Sequence, residues 1–172
     1  MLSLAGHHAL VTGSTKGVGL AIARSLARAG ANLVLNCRQD GPDAQQALEA
    51  CRAEGVEVSL VTADLSGETD ACVGDLFKKA IAANGEIDVL VNNAGVGGGG
   101  GTVEDTTVES WDRIMGINAK GVFLGTKAAI PEMRRAGGGS IVNISSVSGN
   151  VGQESIQPVY NASKGAVRIF TK

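Results

Sequence analysis

Five short apolar runs alternate with longer stretches in which apolar residues recur every three or four positions. His8-Ala-Leu-Val-Thr12 is an apolar run stopped by a glycine turn and reads as a buried strand. From Gly17 to Ala29, Val18, Ile22, Leu26 and several alanines fall at helical spacing, and Gly30 closes the helix. Ala31 to Cys37 is a second strand, followed by a loop through Gly41-Pro42 and a helix from about Asp43 to Glu54. Val56 to Val61 is the third strand, and a helix from about Glu68 to Asn84 leads to the fourth, Ile87 to Val91. Helices are expected over about Val108 to Ile117 and Ala119 to Arg135, a fifth strand over Ser140 to Ser145, and a last helix from near Val159. Strands this continuously apolar are buried on both faces, and their alternation with helices predicts an α/β protein with a parallel sheet. Gly97 to Gly101 reads as a flexible loop after the fourth strand rather than a boundary.

Composition narrows the picture modestly. At 172 residues the chain suits one domain, 1–172, with an ordinary 44% apolar content. A net charge of −2 offers no electrostatic case for nucleic acid or an anionic membrane. No apolar run approaches the roughly 18 residues of a membrane span, and the start lacks the basic region of a signal peptide. Cys37, Cys51 and Cys72 are odd in number and lack metal-ligand spacing, so reduced thiols in a cytoplasmic protein are expected. No metal site is expected, since His7 and His8 stand apart from other ligands. Glycine is the anomaly: 25 residues, about twice ordinary usage, gathered where the chain turns.

One glycine cluster joins the first strand to the first helix: Gly13, Ser14, Thr15, Lys16, Gly17, Val18 and Gly19. The spacing is not GxGxxG, but the physics is shared, because glycines let backbone approach a pyrophosphate at a helix N-terminus. A tight turn in any α/β protein remains the alternative. The end of the second strand normally carries an acid for the ribose hydroxyl of NAD. Here it reads Asn36-Cys37-Arg38, and Arg38 with Lys16 suits a 2′-phosphate, which favours NADP(H) and leaves NAD(H) open. Arg38 as a solvated surface residue is the plain alternative.

A second constellation names a reaction. Tyr160 and Lys164 stand four apart, one helical turn, so both side chains share a face. A phenol beside an ammonium is a proton donor with its pKa pushed down. The hydroxyl of Ser146, fourteen residues earlier, can help hold a carbonyl or alcohol oxygen, with Ser145 as the alternative.

Together with Asp64-Leu65, Asn92-Asn-Ala-Gly95 and Asn118, these pieces resemble the short-chain dehydrogenase/reductase family, in its order and over the whole chain. The resemblance implies a Rossmann-like doubly wound sheet. It also implies roles. Asp64 and Leu65 would meet the adenine ring; Asn92, Ala94 and Gly95 would support the nicotinamide-side ribose. Asn118 would sit at a helix irregularity and anchor a water relay to the lysine. Ser146 would orient the carbonyl, Tyr160 would give or take the proton, and Lys164 would bind the nicotinamide ribose while lowering the tyrosine pKa. Bland readings stand beside these: Asn92 and Asn93 as turn caps, Asn118 as an ordinary polar residue. Trp111 and Phe123 are expected in the core, and Lys127, Arg134 and Arg135 on a solvated face. The spacing from Ser146 to Tyr160 is one residue longer than the family's usual one.

The family's domain continues beyond the Tyr/Lys helix with further strands and a substrate lid, so about five strands are expected here, with the domain incomplete at its C-terminus. An open edge at the fifth strand and a loosely seated Tyr/Lys helix follow as expectations. Two functions are in view. One is an NADP(H)-dependent oxidoreductase interconverting a small-molecule ketone and a secondary alcohol. The other is a weakly active or inactive dinucleotide-binding or subunit-interaction protein. The resemblance also implies a homo-oligomer through the helices around 119–135 and 159–172. A nucleotide-hydrolysing or methyl-transfer domain would share the sheet, but no lysine-terminated phosphate loop or metal-ligand cluster occurs.

Overall fold

A computed structural model describes residues 3–65, 69–97, 101–153 and 158–172. In chain order the elements are β1 (His8–Val11), α1 (Gly17–Arg28), β2 (Asn32–Cys37), α2 (Pro42–Arg52), β3 (Val58–Thr62), α3 (Thr69–Asn84) and β4 (Val89–Asn92). Then come α4 (Val108–Met115), a π-helical turn (Gly116–Lys120), α5 (Gly121–Arg135), β5 (Ser140–Asn143), the short α6 (Ser148–Val151) and α7 (Pro158–Phe170). The expected start of the third helix at Glu68 and the middle of the Gly97–Gly101 run lie outside the described residues. The short α6 carries no apolar periodicity and so leaves no mark in the sequence pattern.

The five strands form one parallel sheet in the order β3-β2-β1-β4-β5. This is the Rossmann-like doubly wound arrangement, with the strand order reversing beside β1. Alternation along each strand deals the apolar side chains to two faces. Leu10, Val34, Val61 and Leu90 face α3 and α5, meeting Val73, Leu76, Phe77, Leu124 and Met133. Ala9, Val11, Leu33, Leu35 and Val91 face the other way, toward Ala23 and Ala27 of α1 and Ala47 and Leu48 of α2. Leu10, Leu33, Leu35 and Leu90 are wholly excluded from water. Each contributes roughly 1.5–3 kcal/mol by that burial.

α1 buries only small residues, Gly19, Ala23 and Ala27, so it lies close to the sheet at the end that carries the glycine turn. The two helices expected around residue 118 form one continuous rod, because the π-helical turn joins α4 to α5 without a break. Thr107 starts this rod by accepting a hydrogen bond from Ser110 N. β5 is an edge strand of the sheet, and Val142 on it is 46% exposed.

Trp111 and Phe123 are not in the core: they are 44% and 48% exposed. Both sit on the outward face of the α4–α5 rod, where Ile114, Val122 and Leu124 take the inward positions. Phe123 packs edge-on against Phe170 of α7, with ring centroids 6.1 Å apart. The expectation for Lys127 and Arg135 holds, since each pairs with a carboxylate at an exposed position.

Candidate functional site

The turn from β1 to α1 is held from beneath by Asn36 of β2. Asn36 Oδ1 accepts from Gly13 N at 3.2 Å, and Ser14 N donates to Asn36 O at 2.9 Å. In return, Asn36 N donates to Ser14 Oγ at 2.9 Å. Ser14 is therefore fully buried, its hydroxyl turned into the sheet rather than toward a ligand. Gly13 adopts φ +61°, and a Cβ there would stand 3.0 Å from Ala94 Cα. A Cβ on Gly19 would meet Gly13 O at 2.3 Å and Asn93 Nδ2 at 2.5 Å. Glycine at these positions lets helix, turn and the end of β4 close on one another. α1 opens with no side-chain cap and no acid in its first turn, so its N–H groups and dipole are left for an anion. The turn thus fits a dinucleotide's pyrophosphate.

Thr12 couples this turn to β4. Its Oγ1 accepts from Asn93 N and from Ala94 N, each at 3.0 Å, while Asn93 Nδ2 donates to the carbonyls of Thr12 and Gly13. Asn93, not assigned from sequence, lines the resulting cleft. Asn92 points the other way and does not line it. Its amide donates to Asn143 Oδ1 at 2.8 Å and to Thr126 Oγ1 at 3.3 Å, joining β4 to β5 and α5. Period-two alternation along β4 is the signal that could have separated the two asparagines.

The cleft has a volume of about 770 Å³. Gly13, Thr15, Lys16, Val18 and Gly19 line it from the turn, and Arg38, Asp64, Leu65, Ala94 and Gly95 from the strand ends. Ser14 and Gly17 do not line it. Cys37, Gln39, Val96, Arg113 and Ile117 line it without having been assigned from sequence. Burial, and then Asp40 nearby, push the Cys37 thiol up, so it is held neutral rather than as a thiolate nucleophile.

At the far end of the cleft, a Cβ on Gly95 would stand 3.2 Å from Asn118 Oδ1 and 3.6 Å from Lys164 Nζ. Asn118 lies in the π-helical turn and is wholly buried. Its Oδ1 accepts from Val96 N at 2.8 Å, and its Nδ2 donates to Val96 O at 2.9 Å and to Ser163 Oγ at 3.1 Å. Its side chain thus clamps the chain after β4 to α7. Lys164, 5% exposed, donates from Nζ to Ile144 O at 2.8 Å. That ammonium lies 5.8 Å from the centre of the Tyr160 ring, within cation–π range. Desolvation holds the Lys164 pKa below the usual lysine value.

The two serines differ in where their hydroxyls go. Ser145 Oγ donates to Lys164 O at 2.8 Å and is committed to holding α7. Ser146 Oγ accepts from Ser148 N at 3.2 Å, which leaves its own proton for another acceptor. Gly149 of α6 also packs against Lys164, since a Cβ there would meet the lysine's carbonyl at 2.6 Å. The helix expected to sit loosely is tied to Asn118, Ile144 and Ser145.

Among the described residues, no group of three His, Cys, Asp or Glu side chains could hold a metal ion, and no helix is long and apolar enough to cross a membrane.

Comparison with known proteins accounts for this arrangement. The NADP-dependent (R)-specific alcohol dehydrogenase of Lentilactobacillus kefiri is 41% identical over 98% of this chain and 65% of its own length. The human protein named dehydrogenase/reductase SDR family member 4 is 40% identical over 98% of this chain and 59% of its own. A Sinorhizobium meliloti 1021 crystal structure, provisionally assigned as a short-chain alcohol dehydrogenase, superposes with a TM-score of 0.92 at 31% identity. That match takes in 99% of this chain and 66% of the other. The chain spans about three fifths of the length of the curated relatives it matches. The short chain dehydrogenase family profile matches residues 7–172. With that match, and relatives that align along nearly its whole length, the chain belongs to the short-chain dehydrogenase family of oxidoreductases.

Proposed function

We propose that the chain binds NADP(H) in the cleft and interconverts a ketone and a secondary alcohol, with Tyr160 moving the proton. The observation that carries this reading is the buried Lys164 ammonium, held on the Ile144 carbonyl beside the Tyr160 ring at the Gly95 end of the cleft. When bound, the nicotinamide supplies or accepts the hydride. The chain's own residues do the rest. Ser146, with its proton uncommitted, holds the substrate oxygen, and the Tyr160 hydroxyl donates its proton to that oxygen during reduction. Lys164 keeps its ammonium beside the Tyr160 ring while the proton leaves. Asn118 keeps Val96 and Ser163 in register, and so spaces cleft from α7.

Lys16 and Arg38, both in the cleft wall, support a 2′-phosphate and hence NADP(H). The relative from Lentilactobacillus kefiri is named as NADP-dependent. Self-association through α5 and α7 belongs to the same reading, because Phe123 and Phe170 present a joined, half-exposed aromatic pair on those helices.

The test is NADPH oxidation followed by absorbance against a panel of carbonyl compounds, with Tyr160→Phe as control. The wild type should turn over and the variant should lose at least about 100-fold. Equal rates in the two proteins would sink the assignment. A second reading, cofactor binding without turnover, is supported by the fact that Tyr160, Lys164 and Ser146 stand outside the cleft lining. Calorimetric binding with no turnover on any carbonyl would favour it.

A further inference from the structure

Three cations line the cleft, and the sequence pattern draws attention to only two of them. Lys16 lies in the glycine turn and Arg38 follows β2, so both belong to the wall on the β1–β2 side. The third is Arg113, on α4, one helical turn before Ile117, which lines the cleft with it. Ile114 between them is 1% exposed and anchors α4, so Arg113 and Ile117 form the strip of this rod that faces the cleft. That strip rides with the chain after β4, because Asn118, the residue after Ile117, is bonded to Val96 on both its amide atoms. Arg113 takes part in no ion pair among the described residues, although Asp112 precedes it. An exposed guanidinium at a cleft wall, with no protein carboxylate among the described residues to hold it, is a donor fork open to a ligand.

We propose that Arg113 is a cofactor-binding residue that holds the part common to NADP(H) and NAD(H), from the wall opposite Lys16 and Arg38. The inference rests on the dinucleotide reading above. The sheet order supports the division of labour. β2 and β4 are separated by β1, so their ends stand about 10 Å apart at the usual strand spacing. A 2′-phosphate read by Arg38 at the β2 end is therefore remote from α4, while the adenosine and pyrophosphate cross the cleft between the two walls. The planar guanidinium suits either a phosphate oxygen or the face of the purine, both of which the two cofactors share.

The experiment is a set of fluorescence titrations of wild type, Arg113→Ala, Arg113→Lys and Arg38→Ala with NADPH and with NADH, plus competition by ADP-ribose. Arg113→Ala should raise Kd for both dinucleotides about 5- to 20-fold and by a similar factor, and should weaken ADP-ribose alike. Arg38→Ala should raise Kd for NADPH alone. Arg113→Lys should recover part of the loss. Unchanged Kd values in a folded Arg113→Ala protein, or a loss confined to NADPH, would overturn the assignment. Failure of the wild type itself to bind either dinucleotide would instead overturn the dinucleotide reading on which it rests.

Discussion

Alanine in place of glycine inside a helix ordinarily stabilises a protein by about 0.5–1 kcal/mol, through lost freedom in the unfolded chain and better helix propensity. At Gly19 the structure reverses the sign. The new Cβ would lie 2.3 Å from Gly13 O and 2.5 Å from Asn93 Nδ2, whereas ordinary contact begins near 3.4 Å. Something must move by about 1 Å, and overpacking of that kind costs roughly 1–3 kcal/mol. Displacing Asn93 also strains its two hydrogen bonds to Thr12 O and Gly13 O, each contributing about 0.5–1.5 kcal/mol. Set against the helix gain, Gly19→Ala should destabilise by about 2–4 kcal/mol and weaken NADPH at least 10-fold, because the displaced atoms form the turn itself. Gly74 of α3 supplies the control: it too is helical, and a Cβ there meets nothing within 4 Å. Gly74→Ala should stabilise by about 0.5–1 kcal/mol. Urea unfolding of the three proteins, with NADPH titration, decides the matter. If Gly19→Ala matches Gly74→Ala in stability and binds as tightly as wild type, the close-approach argument is wrong.

Arg38→Ala should raise Kd for NADPH about 10- to 100-fold and leave NADH nearly unchanged, reflecting charge-assisted bonds of about 1.5–3 kcal/mol; equal losses for both cofactors would refute the 2′-phosphate role. Asn36→Ala should cost about 1–3 kcal/mol in urea unfolding, since it strands the buried Val61 O and removes the acceptor of the half-buried Gly13 N. Lys164→Met tests linkage. Burial lowers the Lys164 pKa on folding, so this group's stability contribution is complete above the unfolded lysine value, about 10.4, and is lost as pH falls through the folded value. The stability of wild type minus that of Lys164→Met should therefore rise as pH climbs from below toward the unfolded lysine value of about 10.4; a flat difference up to that pH would refute the desolvation account.

The sequence by itself determined the parallel α/β architecture, because burying a strand on both faces demands continuous apolar runs such as Leu33-Val-Leu35, and these are visible without coordinates. It also placed Tyr160 and Lys164 on one helix, since a spacing of four means the same thing in any helix. Side-chain direction was legible only where a period applied, and at Asn92 and Asn93 the period would have sorted the pair. Other features were decided by tertiary contact alone. Trp111 and Phe123 look like core residues by composition, yet their helix faces turn outward, because Ile114, Val122 and Leu124 fill the inward positions. Ser145 and Ser146 are indistinguishable as neighbours, and only the Lys164 carbonyl separates them by taking the Ser145 proton. Arg113 carries no motif at all. It becomes a cleft residue because a π-helical turn and the Asn118 clamp set α4 across the cleft from a turn formed a hundred residues earlier, a coincidence in space that no local pattern encodes.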